Sequence, residues 1–339
     1  MIDEKPVNFT TIGSFLKLKP QTIYTWYRQY LSGYSEAVAS GMWGKDNFTP
    51  DSYRDDKRQK TVPVLKPENM GEEMAVDEKM IDEEFYTVLT NRQTGKIALL
   101  AETLQVADLN KLIDKMGEAK HAVKEVTMDL SSTYERLCEQ SFPNATVVAD
   151  KFHVIKHVVE AVQVLRLRLK QEELNQLPTT KKERRAYEKA TKLINGESRI
   201  EMLTRSRYIL FKRQQDWTAS QQKRATLLFE TFPSLKTVYQ LTQQIRQWLD
   251  TSNVGNYEWQ IERQLIEWYD DAEQAKLPEI ENLIRVIGSH EQKIMNYFLK
   301  GKTNAKAEAI NNKIQRFITA NYGVRDKDFF MYRLAHYFS

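Results

Sequence analysis

Three acidic residues stand where they could do metal chemistry. Asp77 follows the apolar run Met74-Ala75-Val76, and Asp129 follows Val126-Thr127-Met128. Glu308 lies far along the chain in a stretch of helical spacing. Hard cations such as magnesium take oxygen ligands, needing only one or two carboxylates beside water and substrate phosphate. Two such ions about 4 Å apart clamp the attacking and leaving oxygens of an in-line phosphoryl displacement. Three carboxylates converging from separated segments could build that site, although a lone strand-end Asp is more often a turn or cap residue. Asp150 and His153 form a second cluster, Asp-Lys-Phe-His, whose spacing suits a helix cap or a paired acid and imidazole. It lacks the further soft ligands of a zinc site, so the favoured reading has His153 orienting Asp150 or the local backbone.

The elements that must position these residues follow from periodicity. The segments MAVDE, EFYTVLTN and KIALLAET read as three strands, with a Gln93-Thr94-Gly95 turn between the last two. VADLNKLIDKMG is an amphipathic helix, VKEVTMDL a fourth strand, TYERLCEQSF a helix and ATVVADKF a fifth strand. Three strands joined by hairpins, then two by helical crossovers, is the ribonuclease-H-like order. From His153 the chain reads as helical for most of its remaining length, with Trp248, Trp259 and Trp268 at amphipathic core positions. The last helical stretch separates an apolar stripe (Ile310, Ile314, Phe317, Ile318) from a polar face holding Glu308, Asn311, Asn312 and Gln315.

At the other end, Ile12, Phe15 and Leu16 suggest a short helix capped by Thr10 or Thr11. Pro20 opens a second helix with an apolar stripe of Ile23, Trp26, Tyr27 and Tyr30, closed by Gly33. Gln21, Thr22, Thr25 and Arg28 lie off that stripe, as the contact residues of a helix-turn-helix would. An ordinary helical hairpin is the alternative. Residues 44–72, polar and rich in turn formers, read as a linker or extended arm.

The 339 residues suffice for about two domains. A hydrophobic fraction of 41% and a charged fraction of 28% argue against wholesale disorder. No apolar run approaches the roughly 20 residues of a membrane span, and MIDEKPVNF does not read as a signal peptide. The single cysteine, Cys138, excludes an internal disulfide framework and points to a reducing compartment. A net charge of +4 conceals a division: residues 67–150 carry −9 and residues 151–230 carry +9. Solvated helix faces would produce this pattern, as would a carboxylate site beside a nucleic-acid surface.

Two long motifs sharpen the choice. The stretch VTMDLSSTYERLCEQSFPNATVVADKFHVIKHVVEAVQVLR and the C-terminal TNAKAEAINNKIQRFITANYGVRDKDFFMYRL resemble the Asp-Asp-Glu transposases of the ISL-three insertion-sequence family. AVDEKMIDEEFYTVLTN resembles the family's Ile-Asp-Glu opening strand more loosely. The resemblance runs from about residue 70 to the end. It implies an α/β fold: a ribonuclease-H-like core with a mixed five-stranded sheet, interrupted by a large all-helical insertion and here preceded by a small helix-turn-helix. The expected domains are 1–43, helix-turn-helix; 44–72, linker; 73–157, first part of the core; 158–300, helical insertion; and 301–339, the C-terminal core helix.

The resemblance also implies magnesium-dependent cutting and joining of double-stranded DNA at terminal inverted repeats. Asp77 falls at the first acidic position and Glu308 at the last. Asp129 is preferred over Asp150 as the second, with Asp150 and His153 as a supporting cluster. Two magnesium ions are expected, with manganese as a possible substitute. Phosphate contacts are assigned to Arg166, Arg168, Lys181, Lys182, Arg184 and Arg185, and base or backbone contacts to Gln21, Thr22, Thr25 and Arg28. Many relatives begin with a cysteine-rich zinc-binding module that this chain lacks, so end recognition would fall to the helix-turn-helix, the basic insertion or a second element-encoded chain. A homo-oligomer on DNA and a cytoplasmic, nucleoid-associated bacterial location are expected, with no membrane partner. The rival readings are a catalytically inactive transposase relic that binds DNA and a helical scaffold.

Overall fold

Alternating apolar residues build the sheet. The computed structural model describes residues 8–44, 61–250, 257–300, 305–320 and 326–338; the side chains of 188, 299–300 and 305–308 lie outside that description. Strands β1 (Val64–Leu65), β2 (Glu73–Ile81), β3 (Glu84–Asn91), β4 (Lys96–Ala101), β5 (Glu125–Met128) and β6 (Thr146–Ala149) form one mixed sheet in the order β1-β4-β3-β2-β5-β6. β1 to β4, β4 to β3 and β3 to β2 are antiparallel; β2 to β5 and β5 to β6 are parallel. All five expected strands are present. β1 is an addition that falls inside the expected linker. There Thr61, Val62 and Val64 are buried, and Val64 and Leu65 pair with Leu100 and Leu99. The rest of that expectation, residues 45–60, lies outside the described residues.

The turns have local causes. Asp82 and Glu83 both take left-handed backbone angles (φ 51° and 65°), matching the twist a two-residue hairpin needs between β2 and β3. Between β3 and β4, the Asn91 side-chain oxygen accepts from the backbone N–H of Gln93 and Thr94, and Gly95 takes φ 72°. Two crossover helices, α4 (Val106–Asp114) and α5 (Ser132–Ser141), then bring β5 and β6 parallel to β2.

Each sheet face is covered. Met74, Val76, Leu89, Leu99, Val126 and Met128 pack with Leu109, Leu112 and Ile113 of α4 and Tyr134, Leu137 and Cys138 of α5. The opposite face, with Ile81, Tyr86, Val88 and Leu100, is covered by the C-terminal helices α15 (Ala305–Ala320) and α16 (Lys327–Tyr337). Ile310, Ile314 and Phe317 are buried as the stripe predicts, and Ile318 is partly buried beside them. Burying a side chain of this size stabilises by about 1.5–3 kcal/mol, so this stripe holds α15 on the sheet.

The N-terminal helices join the same unit. α1 (Phe9–Leu16) and α2 (Pro20–Trp26) form as expected, but Asn8 caps α1, accepting from Thr11 N. Gly13 lets the helices meet: a Cβ there would lie 2.7 Å from Leu18 O. α2 continues as a wider π-turn over Tyr27–Leu31, and α3 (Tyr34–Ala39) comes after Gly33, which takes φ 75°. The π-turn rotates the residues beyond Tyr27 off the helical stripe. Ile23 and Tyr27 are therefore buried, whereas Tyr30 is exposed and Trp26, at the stripe's edge, is half-exposed. Tyr27 and Tyr34 pack on Phe329 and Tyr332 of α16, and the Tyr332 hydroxyl donates to Ser32 O at 3.0 Å. The buried Arg333 guanidinium lies over the rings of Phe9, Tyr27, Phe317 and Phe329.

The second compact unit is Lys151–Gly301, the first being formed by the residues before and after it. It starts at 151 rather than 158, because one 25-residue helix, α6 (Lys151–Asn175), runs from there and buries Val158, Val162 and Leu165. The unit continues with α7 (Lys181–Ala190), α8 (Arg199–Arg205), α9 (Arg207–Phe211), α10 (Ala219–Thr231), α11 (Pro233–Trp248), α12 (Glu258–Gln274), α13 (Pro278–Ser289) and α14 (Glu291–Lys300), of which α8, α9, α11 and α13 pack on α6. The ring N–H groups of Trp248 and Trp268, both buried, donate to Ile261 O and Leu241 O. Trp259 corrects the expectation: it is exposed, on the side of α12 away from the buried Ile261, Leu265 and Trp268. Among the described residues no helix is long and apolar enough to cross a membrane.

Candidate active site

Strand register places the aspartates. β2 and β5 pair in parallel up to Ala75 opposite Thr127, so continuing that register sets Asp77 level with Asp129. β5 and β6 pair up to Met128 opposite Ala149, which sets Asp129 level with Asp150. Three aspartates therefore share one level on three adjacent parallel strands: Asp77 in the middle of β2, Asp129 just past the end of β5 and Asp150 just past the end of β6, so the expected strand-end position holds for Asp129 but not for Asp77. Neighbouring strands lie about 4.8 Å apart, and successive side chains alternate between faces. Val76 and Met128 point toward α4 and α5, so alternation assigns Asp77 and Asp129 to the face that carries α15.

Each aspartate is held differently. One Asp77 oxygen accepts from Glu78 N at 2.8 Å, and the other accepts from the Asn311 side-chain amide on α15. Asp129 is half-buried and accepts from Ser131 N at 3.1 Å, an Asx turn leading into α5. Asp150 is 5% exposed, and its N–H donates to Met128 O at 2.7 Å. Behind the row, burial pushes the Tyr134 phenol up; Glu78, Asp129 and Asp77 add to the effect, against a hydrogen bond with Thr87. Lys79 shares a strand face with Asp77, and burial lowers its ammonium pKa against the pull of Asp77.

The expected third carboxylate, Glu308, is located at the level of the backbone alone. Position 308 lies on α15, one turn before Asn311, so the two share a helix face. The Glu308 side chain is outside the described residues. Among the described residues no three His, Cys, Asp or Glu side chains form a ready metal cluster. The donors that do stand in the row are all carboxylate oxygens, a set suited to a hard divalent cation and not to a soft one. His153 lies in the first turn of α6, within the second unit, whereas Asp150 closes the first part of the other.

The expected DNA contacts separate into two groups. Arg166 corrects the expectation: it is buried, and it donates to Leu203 O at 3.0 Å and to Gln163. Arg168 grips the buried Glu279 with two hydrogen bonds (2.7 and 3.1 Å) and also bonds Glu172. Both arginines are thus engaged within the helical unit. By contrast, Lys181, Lys182, Arg184 and Arg185 are exposed on α7, whose first turn is capped by Thr180. In the N-terminal helices Gln21 is exposed and Thr22 and Thr25 are half-exposed. Arg28 donates to Asp326 at 2.8 Å and lies over the Tyr34 ring.

Arg168 carries a pH prediction. Its hydrogen bonds, opposed by burial, hold the Glu279 carboxyl below its ordinary 4.5. A depressed carboxylate stabilises the fold above the unfolded-state value and loses that contribution as pH falls through the folded one. Thermal unfolding measured from pH 7 down to about 3 should show wild type losing more stability than Glu279→Gln. Parallel pH curves for the two proteins would refute this.

Two residues at the site carry no role legible in the sequence. Asn311 is visible there only as a member of the polar face, and its contact with Asp77 spans 234 positions. Lys79 carries the signal of standing two residues beyond Asp77 in a strand.

A mixed sheet with acids level on its neighbouring parallel strands, faced by a helix bearing another acid, defines a carboxylate-based α/β protein. A family model described as "Transposase", that of the DDE transposases of the ISL-three type, matches residues 74–334, and the chain belongs to that family. It is similar to the transposase for insertion sequence element IS1557 of Mycobacterium tuberculosis, 24% identical over 244 residues, covering 71% of this chain and 54% of that protein. It is also similar to the transposase for insertion sequence element IS1001 of Bordetella parapertussis, 23% identical over 222 residues, covering 64% of this chain and 48% of that protein. The chain thus spans about half the length of the curated relatives it matches. No solved structure gives a significant match.

Proposed function

We propose that this chain is a bacterial insertion-sequence transposase that cuts double-stranded DNA at the element's ends and joins them to a target. The observation that carries the reading is the shared level of Asp77 and Asp129 on neighbouring parallel strands. The strand order β4-β3-β2-β5-β6, with its hairpins and crossovers, supports a ribonuclease-H-like core. Asp77 and Asp129, with Glu308 from α15, would hold two magnesium ions. Bound there, the ions would neutralise phosphate charge and acidify a water.

The chain's own residues do the positioning. The middle of β2 carries Asp77 and the end of β5 leads into Asp129, and the buried stripe of α15 sets the height of position 308 above the sheet. Lys79, on the same strand face as Asp77, offers a cation to the scissile phosphate. Hydrolysis of one strand frees a 3′-hydroxyl, which then attacks a target phosphodiester without a covalent link to protein. Catalysis of this kind is mostly placement and charge neutralisation. Lys181, Lys182, Arg184 and Arg185 supply sequence-independent phosphate contacts, whose affinity falls with salt. Gln21, Thr22 and Thr25 face solvent on α2 and remain the candidates for reading DNA. Arg166 and Arg168 have no part in this reading, and Arg28 contributes to DNA only by leaving Asp326.

The test is incubation of the chain with labelled element-end DNA and magnesium. Nicking is expected, and Glu308→Gln should abolish it while keeping DNA affinity. A shifted band without nicking would mark an inactive DNA-binding relic. Substantial nicking by Glu308→Gln would remove Glu308 from the site.

A further inference from the structure

We infer that Asn311 is a positioning residue for the metal-binding carboxylates, an inference that rests on the site proposed above. The Asn311 amide donates to Oδ2 of Asp77 across 234 residues of chain. The other Asp77 oxygen, Oδ1, is already held by Glu78 N at 2.8 Å. The carboxylate is thus held at both oxygens, one by its own strand and the other by α15. Two hydrogen bonds from separate elements restrain its orientation. Restraint of a ligand by a hydrogen-bonded neighbour is how metal sites obtain both affinity and geometry.

The same bond has a second effect. Position 308 precedes Asn311 by one helical turn on the same face. Ile310, Ile314 and Phe317 press α15 onto the sheet, but apolar contacts are non-directional and tolerate sliding. A directional hydrogen bond to β2 does not. It sets the register of α15 against the strand that carries Asp77, and with it the level of position 308. The residue type suits this role. A carboxylate at 311 would repel Asp77, and an aliphatic side chain would have no donor. A lysine would bring a charge that competes with the cation. A neutral amide donates without doing any of these things.

The experiment uses the full chain and Mn²⁺ alone as probe, with binding measured by calorimetry and electron paramagnetic resonance. Asn311→Ala and the similarly branched Asn311→Leu should each weaken Mn²⁺ binding by about 10–100-fold. Both should keep wild-type circular dichroism and DNA affinity. In an Asp77→Asn background, where no carboxylate remains to be oriented, adding Asn311→Ala should change Mn²⁺ binding by less than about twofold. An equal loss in both backgrounds would show that Asn311 acts through general packing and would overturn the inference. So would unchanged Mn²⁺ binding in Asn311→Ala, provided that Asp77→Asn itself weakens it. If Asp77→Asn leaves Mn²⁺ binding intact, the site reading fails instead. Should either aliphatic variant fail to fold, Asn311→Ser carries the same comparison.

Discussion

Replacing Asp129 by Asn will suppress DNA nicking by on the order of 10⁴-fold, the scale seen when one member of a catalytic unit is removed. The equivalent change at Asp150 will cost about tenfold or less, the scale of a second-layer partner. The two aspartates occupy adjacent, level positions, so chain chemistry alone does not separate them. Their distances from Asp77 do. Asp129 is one strand away, about 4.8 Å, whereas Asp150 is two strands away, about twice that. Two ions about 4 Å apart can be shared by carboxylates on neighbouring strands, but a carboxylate two strands off reaches the pair poorly. Burial agrees: Asp150 is 5% exposed, whereas Asp129 is half-exposed at the head of α5. Single-turnover nicking of labelled DNA measures both variants, and a larger loss from Asp150→Asn would reverse the assignment.

The second large effect concerns stability. Arg92 and Glu125 form an ion pair in which both side chains are almost fully buried. Arg92 comes directly after β3, its N–H donates to Glu73 O, and Glu125 opens the strand that leads to Asp129. The pair thus ties the antiparallel half of the sheet to the parallel half. Removing one member leaves a buried charge uncompensated, at a cost of about 3–5 kcal/mol. That is a large part of the roughly 5–15 kcal/mol that holds an ordinary domain together. Arg92→Ala and Glu125→Ala should each lower the urea midpoint accordingly. The double replacement Arg92→Met with Glu125→Leu should recover most of the loss, because no charge is then stranded. A double variant as weak as either single one would refute the account.

Much of this arrangement is legible in the sequence because its causes are local. Alternation, turn residues and the stripe of Ile310, Ile314 and Phe317 place five strands and the last core helix. The acids at 77 and 129 stand out because each closes an apolar run, which marks a strand end at 129 but not at 77, where β2 continues to Ile81. Register is not legible. The match of Asp77 to Asp129 depends on how β5 slides against β2 after a crossover, and no local signal encodes it. β1 is hidden for a different reason: two residues beside prolines carry no periodicity, and only pairing with β4 makes them a strand. Arg166 misleads because a guanidinium in a basic stretch implies solvent, while its partner, the Leu203 carbonyl, is invisible to composition. Asn311 reads from sequence as one more polar helix residue, and only the fold supplies its contact with Asp77.

Arg333 has a consequence for modularity. Its guanidinium is enclosed by Phe9 and Tyr27 from the N-terminal helices, Phe317 from α15 and Phe329 from α16 itself. The helices that look like a detachable recognition cassette are therefore part of the foundation under the helix that carries Glu308. Exchanging them for those of a relative would leave Arg333 with half its aromatic enclosure, so any transplant must take α16 along and be rebuilt against Phe317. Exchanging the N-terminal helices and preserving the seat of α15 are, for that reason, a single engineering problem.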